Sequence, residues 1–106
     1  MEAYQRLEQE WAEWNGLNPR GMVACTSGTA ALHLVLEALC LPPGSEVIVP
    51  DYIMIAVPRA VTMAGLTPVF CDVDPVTMTL VVQPEREVAA VVPVDLFGRP
   101  HRSFDV

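Results

Sequence analysis

No lysine occurs in this chain of 106 residues, so all six of its strongly basic side chains are arginines. Asp and Glu together number 13, and the net charge is −7. Nucleic-acid backbones are held by clustered Lys and Arg, and with no such cluster anywhere the balance excludes nucleic acid as a partner. Cysteine is scarce. Cys25, Cys40 and Cys71 are odd in number, form no C-x-x-C pair and lie in apolar surroundings, which predicts buried free thiols in a reducing cytoplasm. No basic-then-apolar leader opens the chain, which starts Met1-Glu2-Ala3-Tyr4. Its longest apolar stretch, Ile53 to Leu66, is interrupted by Pro58 and Arg59 and is too short to cross a bilayer. A soluble protein without a membrane partner is expected.

Several signatures are also absent. There is no G-x-G-x-x-G and no G-x-x-x-x-G-K-[ST], which removes the dinucleotide fingerprint and the P-loop. Neither H-E-x-x-H nor a Cys/His cluster speaks for zinc, and G-x-S-x-G is missing, so a serine-hydrolase elbow is excluded. What remains is a chain just over half hydrophobic, enough for one domain with a modest core.

The stretch Ala24-Cys25-Thr26-Ser27-Gly28-Thr29-Ala30-Ala31-Leu32 organises the rest. Met22 to Cys25 reads as a short buried strand, followed by small polar residues and then an apolar helix from about Gly28 to Leu39. At a helix start, backbone N–H groups lack intrahelical acceptors and the peptide dipoles add positive charge, a combination that suits an anion such as phosphate. Gly28 permits close approach, and Ser27 and Thr29 add hydroxyls. The same residues also serve as an ordinary helix cap, through Thr26 or Ser27, and the tripeptide alone does not separate the two uses.

Residues 2 to 15 read as an amphipathic helix with Tyr4, Leu7, Trp11 and Trp14 on one face, as a core or interface contact, stopped by Asn15-Gly16. The Gly28–Leu39 helix is apolar nearly all round, which predicts burial on several sides. Its His33 and Glu37 share a face and suit an i,i+4 hydrogen bond better than a metal. Leu41-Pro42-Pro43-Gly44 is a turn. Glu46 to Val49 is a strand stopped by Pro50, and a helix from about Ile53 to Ala64 follows, with Pro58 in its first turn and Gly65 as its stop. Pro68 to Cys71 is a further strand. Asp72 and Asp74, with no third ligand nearby, suit capping and turns rather than a metal. Thr77 to Val82 is β-prone, Gln83 to Glu87 is a polar connector, and Val88 to Val94 is a fourth buried strand. Pro100 to Val106 reads as a helix entry.

Short apolar strands alternating with helices predict an α/β fold, a three-layer α/β/α arrangement with a mainly parallel sheet. Ligands of such sheets sit beyond the carboxyl ends of the strands. Ser27-Gly28-Thr29, Asp51-Tyr52 and Asp95-Leu96-Phe97-Gly98 all follow predicted strand ends, so three loops are expected to converge on one rim.

Four segments in order resemble the DegT/DnrJ/EryC1/StrS family of sugar aminotransferases, fold-type I enzymes that use pyridoxal 5′-phosphate (PLP). They are Ser27-Gly28-Thr29-Ala30-Ala31-Leu32, Pro43-Gly44-Ser45-Glu46-Val47-Ile48-Val49-Pro50, Gly65-Leu66-Thr67-Pro68-Val69-Phe70-Cys71-Asp72-Val73-Asp74-Pro75, and Val92-Pro93-Val94-Asp95-Leu96-Phe97-Gly98-Arg99-Pro100. The resemblance covers nearly the whole chain but only the N-terminal part of the family's PLP-binding large domain, so 1–106 is expected to be a single partial domain. It implies that Gly28 and Thr29, with Ser27, hold the cofactor phosphate, and that Met54 takes the place of an aromatic residue stacked on the cofactor ring. Asp51 replaces a small hydroxyl residue on the same rim.

The family reaction moves an amino group from an amino acid to a nucleotide-linked keto-sugar, with a lysine carrying the cofactor and an acid facing its pyridine nitrogen. Both belong to later motifs, beyond Val106. By resemblance the partners are therefore a nucleotide-sugar substrate, an amino-acid donor and a second subunit in a homodimer, while this chain alone, lacking lysine, is expected to be inactive. The alternative is a non-catalytic remnant or binding module that pairs with a full-length relative.

Overall fold

The computed structural model describes residues 1–81 and 87–101. The chain divides into two compact units, Met1–Ala31 and Leu32–Val106.

In the first unit, helix α1 spans Ala3–Trp14. Gln5 Oε1 accepts the Glu2 N–H at 2.9 Å, supplying a partner for a donor that the first turn leaves unpaired. The predicted stop also forms: Gly16 has φ +66, a left-handed conformation that glycine adopts without a Cβ clash, and its N–H reaches the Glu13 carbonyl at 3.1 Å. Of the two expected uses of the apolar stripe, core or interface contact, the first is not met within the chain. Tyr4, Leu7, Trp11 and Trp14 are all exposed, Trp14 by 78%, while Ala12 is fully covered. Trp11 and Trp14 lie against each other with ring centroids 5.3 Å apart.

The expected buried strand at Met22–Cys25 is not a strand, and Val23, Ala24 and Cys25 are exposed. A strand needs a neighbour for its backbone groups, and here the Ala24 N–H goes to Glu8 Oε1 of α1 at 2.7 Å. Cys25 and Cys40 are exposed and Cys71 half-buried, so the thiols are free as expected but not enclosed in a core.

Helix α2, Gly28–Ala38, follows. It is not covered on several sides: Leu36 is buried, but Leu34, Val35 and Leu39 are each half or more exposed. Its apolar character exceeds the surface that the described residues offer to cover it. His33 Nε2 and Glu37 Oε1 lie 3.2 Å apart, the expected i,i+4 pair.

In the second unit, β1 (Glu46–Pro50), β2 (Thr67–Cys71) and β3 (Ala90–Val91) form a parallel sheet in the order β2-β1-β3. Helix α3, Ala56–Met63, lies between β1 and β2 in the chain. It begins three residues later than the sequence suggests and has Pro58 in its first turn, where no intrahelical donor is lost. The two glycine turns flanking the first crossover are joined by a bond from the Gly44 N–H to the Gly65 carbonyl at 2.8 Å, and both glycines have positive φ.

Burial concentrates on β1. Val47, Ile48 and Val49 have no exposed surface, as expected of a central strand covered on both faces. Val47 and Val49 cluster with Leu36, Ala60, Val61 and Leu66, and Ile48 takes the opposite face by strand alternation. Pro68 lies in β2 without breaking the ladder. The neighbouring Thr67 N–H reaches Ser45 on the β1 side at 2.9 Å, so alternation turns the proline nitrogen to the side of β2 away from β1, where no strand pairs among the described residues.

The predicted fourth strand shrinks to Ala90–Val91, half-buried. The β-prone stretch from Thr77 forms a single antiparallel bridge, Val73 with Leu80. Val82 and most of the connector, residues 83–86, lie outside the described residues, as do residues 102–106 of the predicted helix entry; Pro100 and His101 are not helical. The α/β class with a parallel sheet therefore holds, with fewer and shorter strands.

Two substitutions test this distribution of burial. Ile48→Ala should lower the unfolding free energy by about 2–5 kcal/mol in urea denaturation, since it opens a cavity in the central strand. Val35→Ala on the exposed side of α2 should change it by about 0.5 kcal/mol or less.

Candidate functional site

Ser27, Gly28 and Thr29 open α2 in the first unit. Ser27 is the cap: its Oγ accepts the Ala30 N–H at 3.1 Å and its carbonyl accepts the Ala31 N–H at 3.0 Å. The plain capping role is therefore real, and it does not compete with an anion. The Ser27 hydroxyl still has its proton to donate, and the Gly28 and Thr29 N–H groups precede any intrahelical acceptor. Among the described residues neither amide has a protein acceptor.

Gly28 has no positive φ, and a Cβ there would meet nothing within 4 Å. The chain's own packing thus makes no demand for glycine at this position, whereas close approach of a ligand to the amides would. Ser27 and Gly28 are exposed and Thr29 is half-buried. This donor set, with two amides, two hydroxyls and the positive end of a helix, fits a phosphate. It does not include a covalent anchor, because the chain holds no lysine.

The other two predicted rim loops belong to the second unit and do meet. Asp51, Tyr52, Ile53 and Met54, after β1, line one cleft with Leu96 and Phe97, after β3, enclosing about 390 Å³. Both segments lie past the carboxyl ends of adjacent parallel strands, the usual ligand position in such sheets. Met54 is 73% exposed, and Tyr52 and Ile55 are also exposed. The loop 27–29 does not follow a strand, contrary to expectation, because Met22–Cys25 is not one.

The Asp95–Gly98 loop is held more tightly than its composition suggests. Asp95 Oδ1 accepts the His101 N–H at 2.8 Å and pairs with His101 Nδ1 at 2.6 Å. Arg99 Nη1 donates to the Val76 carbonyl at 2.6 Å, and the Val76 N–H in turn donates to Asp74 Oδ1 at 2.7 Å, giving Asp74 the expected turn role. Inside this clasp Phe97 adopts φ 58, ψ 25, a left-handed conformation that costs a non-glycine residue about 1–2 kcal/mol. Sequence reasoning singled out the loop but missed the parts played by Arg99 and His101, whose only signal is an Asp followed six residues later by a His. The His101 backbone N–H, and then its ring, hold the Asp95 carboxyl below the ordinary carboxylate range.

The DegT/DnrJ/EryC1/StrS aminotransferase family profile matches residues 2–105. The chain belongs to this family. It is 44% identical over 72 residues to the dTDP-4-dehydro-2,3,6-trideoxy-D-glucose 4-aminotransferase of Saccharopolyspora spinosa, covering 68% of this chain and 19% of that one. It is 39% identical over 100 residues to the GDP-perosamine synthase of Caulobacter vibrioides, covering 88% and 26%. Among solved structures, the E. coli GDP-4-keto-6-deoxy-D-mannose-3-dehydratase with bound hydrated PLP superposes with a TM-score of 0.76 at 25% identity, covering 95% of this chain and 28% of that one. The chain thus spans about a fifth to a quarter of the length of the curated relatives it matches.

Two measurements probe the local geometry. Ser27→Ala should cost about 1 kcal/mol of stability, by leaving the Ala30 N–H without its acceptor. The stabilising effect of the Asp95 clasp should be fully present above the ordinary Asp pKa of about 3.9 and lost as pH falls through the depressed folded-state value. A carboxyl NMR titration should therefore place the Asp95 midpoint below that of an unpaired Asp.

Proposed function

We propose that residues 1–106 are the N-terminal part of the PLP-binding large domain of a cytoplasmic, dimeric aminotransferase, in which Ser27, Gly28 and Thr29 hold the cofactor phosphate. The observation that carries this reading is the donor cluster at the start of α2, with two amides that have no protein acceptor among the described residues, inside a chain matched by the family over residues 2–105. The names of the relatives, which act on dTDP- and GDP-linked sugars, support a nucleotide-linked keto-sugar as amino acceptor and an amino acid as donor. One relative of the same fold is named as a dehydratase, so amino transfer is the reaction favoured by the family and not by the fold alone.

PLP, when bound, supplies the electron sink on which amino transfer depends. The part played by this chain is to hold the phosphate through amides and hydroxyls and to offer Met54, a polarisable contact, toward the ring. The amine that anchors the cofactor has to come from outside residues 1–106, since none of these side chains carries one.

A second reading, a non-catalytic module pairing with a full-length relative, draws on Asp51 and Met54. A carboxylate lining the rim cleft disfavours a nearby anion, and Met54 contacts a ring less well than an aromatic residue would. Equilibrium titration of the 106-residue chain with PLP separates the readings. The first expects saturable, non-covalent binding that Thr29→Val weakens about tenfold, the loss of a hydrogen bond worth about 1.4 kcal/mol. Borohydride reduction should then leave every side chain unlabelled. Absence of binding, or binding indifferent to Thr29, would favour the module.

A further inference from the structure

Besides Cys40 just past α2, two non-glycine residues take a left-handed backbone, Met78 at φ 59 and Phe97 at φ 58. Such conformations are sparsely populated for residues with a Cβ, and they persist where the surroundings over-determine them. Both belong to the second unit, and a single side chain links their surroundings.

Met78 is fixed by its own turn. Asp74 Oδ1 accepts the Val76 and Thr77 N–H groups at 2.7 and 3.1 Å. The Asp74 carbonyl accepts the Met78 N–H at 2.7 Å, and the Asp74 N–H donates to the Thr79 carbonyl at 2.9 Å. Asp74 thus braces the turn through both backbone and side chain, and the Val76 carbonyl is held in place with it.

Phe97 is fixed from two directions. The Gly98 and Arg99 N–H groups bond back to Asp95 and Leu96 at 3.0 and 3.1 Å, and Asp95 grips His101. A bond across 23 positions of sequence then joins this loop to the Asp74 turn, from Arg99 Nη1 to the Val76 carbonyl at 2.6 Å. A guanidinium is planar and charged, so it donates in a fixed direction and more strongly than a neutral donor.

We infer that Arg99 is a positioning residue for the wall of the rim cleft. Through the Val76 carbonyl it ties Leu96 and Phe97, which line the cleft, to the turn built on Asp74. The shape of the cleft is then set partly by residues outside its lining. The coupling lies wholly within the second unit and is independent of any ligand, so it goes beyond the cofactor reading and does not rest on it.

Amide hydrogen exchange and the Phe97 HN–Hα scalar coupling, measured by NMR on the 106-residue chain without ligand, test this in wild type and four variants. Arg99→Ala should speed exchange of the Gly98 N–H about three- to tenfold and move the Phe97 coupling off its wild-type value, while the Ile48 N–H in β1 exchanges as before. Arg99→Lys, which keeps one charged donor, should restore most of that protection. Asp74→Ala, which releases Val76, should act on Gly98 and Phe97 in the same direction. The double variant, Arg99→Ala with Asp74→Ala, should lose no more than the larger single change, because both remove one link. Gly98 exchange unchanged in Arg99→Ala, or losses that add in full in the double variant, would overturn the inference. Equal acceleration at Ile48 would also overturn it, as a general loosening of the sheet. If Asp74→Ala does not fold, Arg99→Ala against Arg99→Lys still decides the matter.

Discussion

The second unit depends on the parallel pairing of β1 with a strand on each side. That arrangement removes Val47, Ile48 and Val49 from water completely. Full burial of one such side chain contributes about 1.5–3 kcal/mol, so three consecutive ones dominate a core this small. Parallel pairing also means that β1 and β3 end on the same side, and their following loops share a cleft for that reason. The cleft follows from strand direction: an antiparallel β3 would have delivered Leu96 and Phe97 to the opposite end of the sheet.

The two regions carrying chemistry have opposite electrostatic characters. The start of α2 offers only donors and a positive helix end, with Ser27 capping the helix and remaining able to donate. The rim cleft offers apolar surface and one carboxylate. Neither supplies a side-chain amine, because the chain holds no lysine.

What could be read from the sequence was what local chemistry decides. The turn at Pro42-Pro43-Gly44, the stop at Gly65, the His33–Glu37 pair and the cap at Ser27 depend on residues within a few positions of one another, and all were legible. The central strand was legible because its apolar run is continuous and bounded by turns. The errors share one cause. Met22–Cys25, the outer faces of α2 and the Trp11–Trp14 stripe were assigned burial from their hydrophobicity, but burial needs a partner surface, and a periodicity does not show whether one is present. The same holds for Cys25 and Cys40. The clasp at Asp95 was illegible for a different reason: its bonds join a loop to His101 and Val76, and no sequence pattern announces a side chain's long-range acceptor.

Pro68 has an effect beyond its own strand. Its nitrogen faces the side of β2 away from β1, and among the described residues β2 is the last strand on that side. An incoming extended segment would find one of its expected hydrogen-bond donors missing at that position, with a pyrrolidine ring in the way. The residue that costs the ladder nothing internally thus makes that side of β2 a poor template for an added strand.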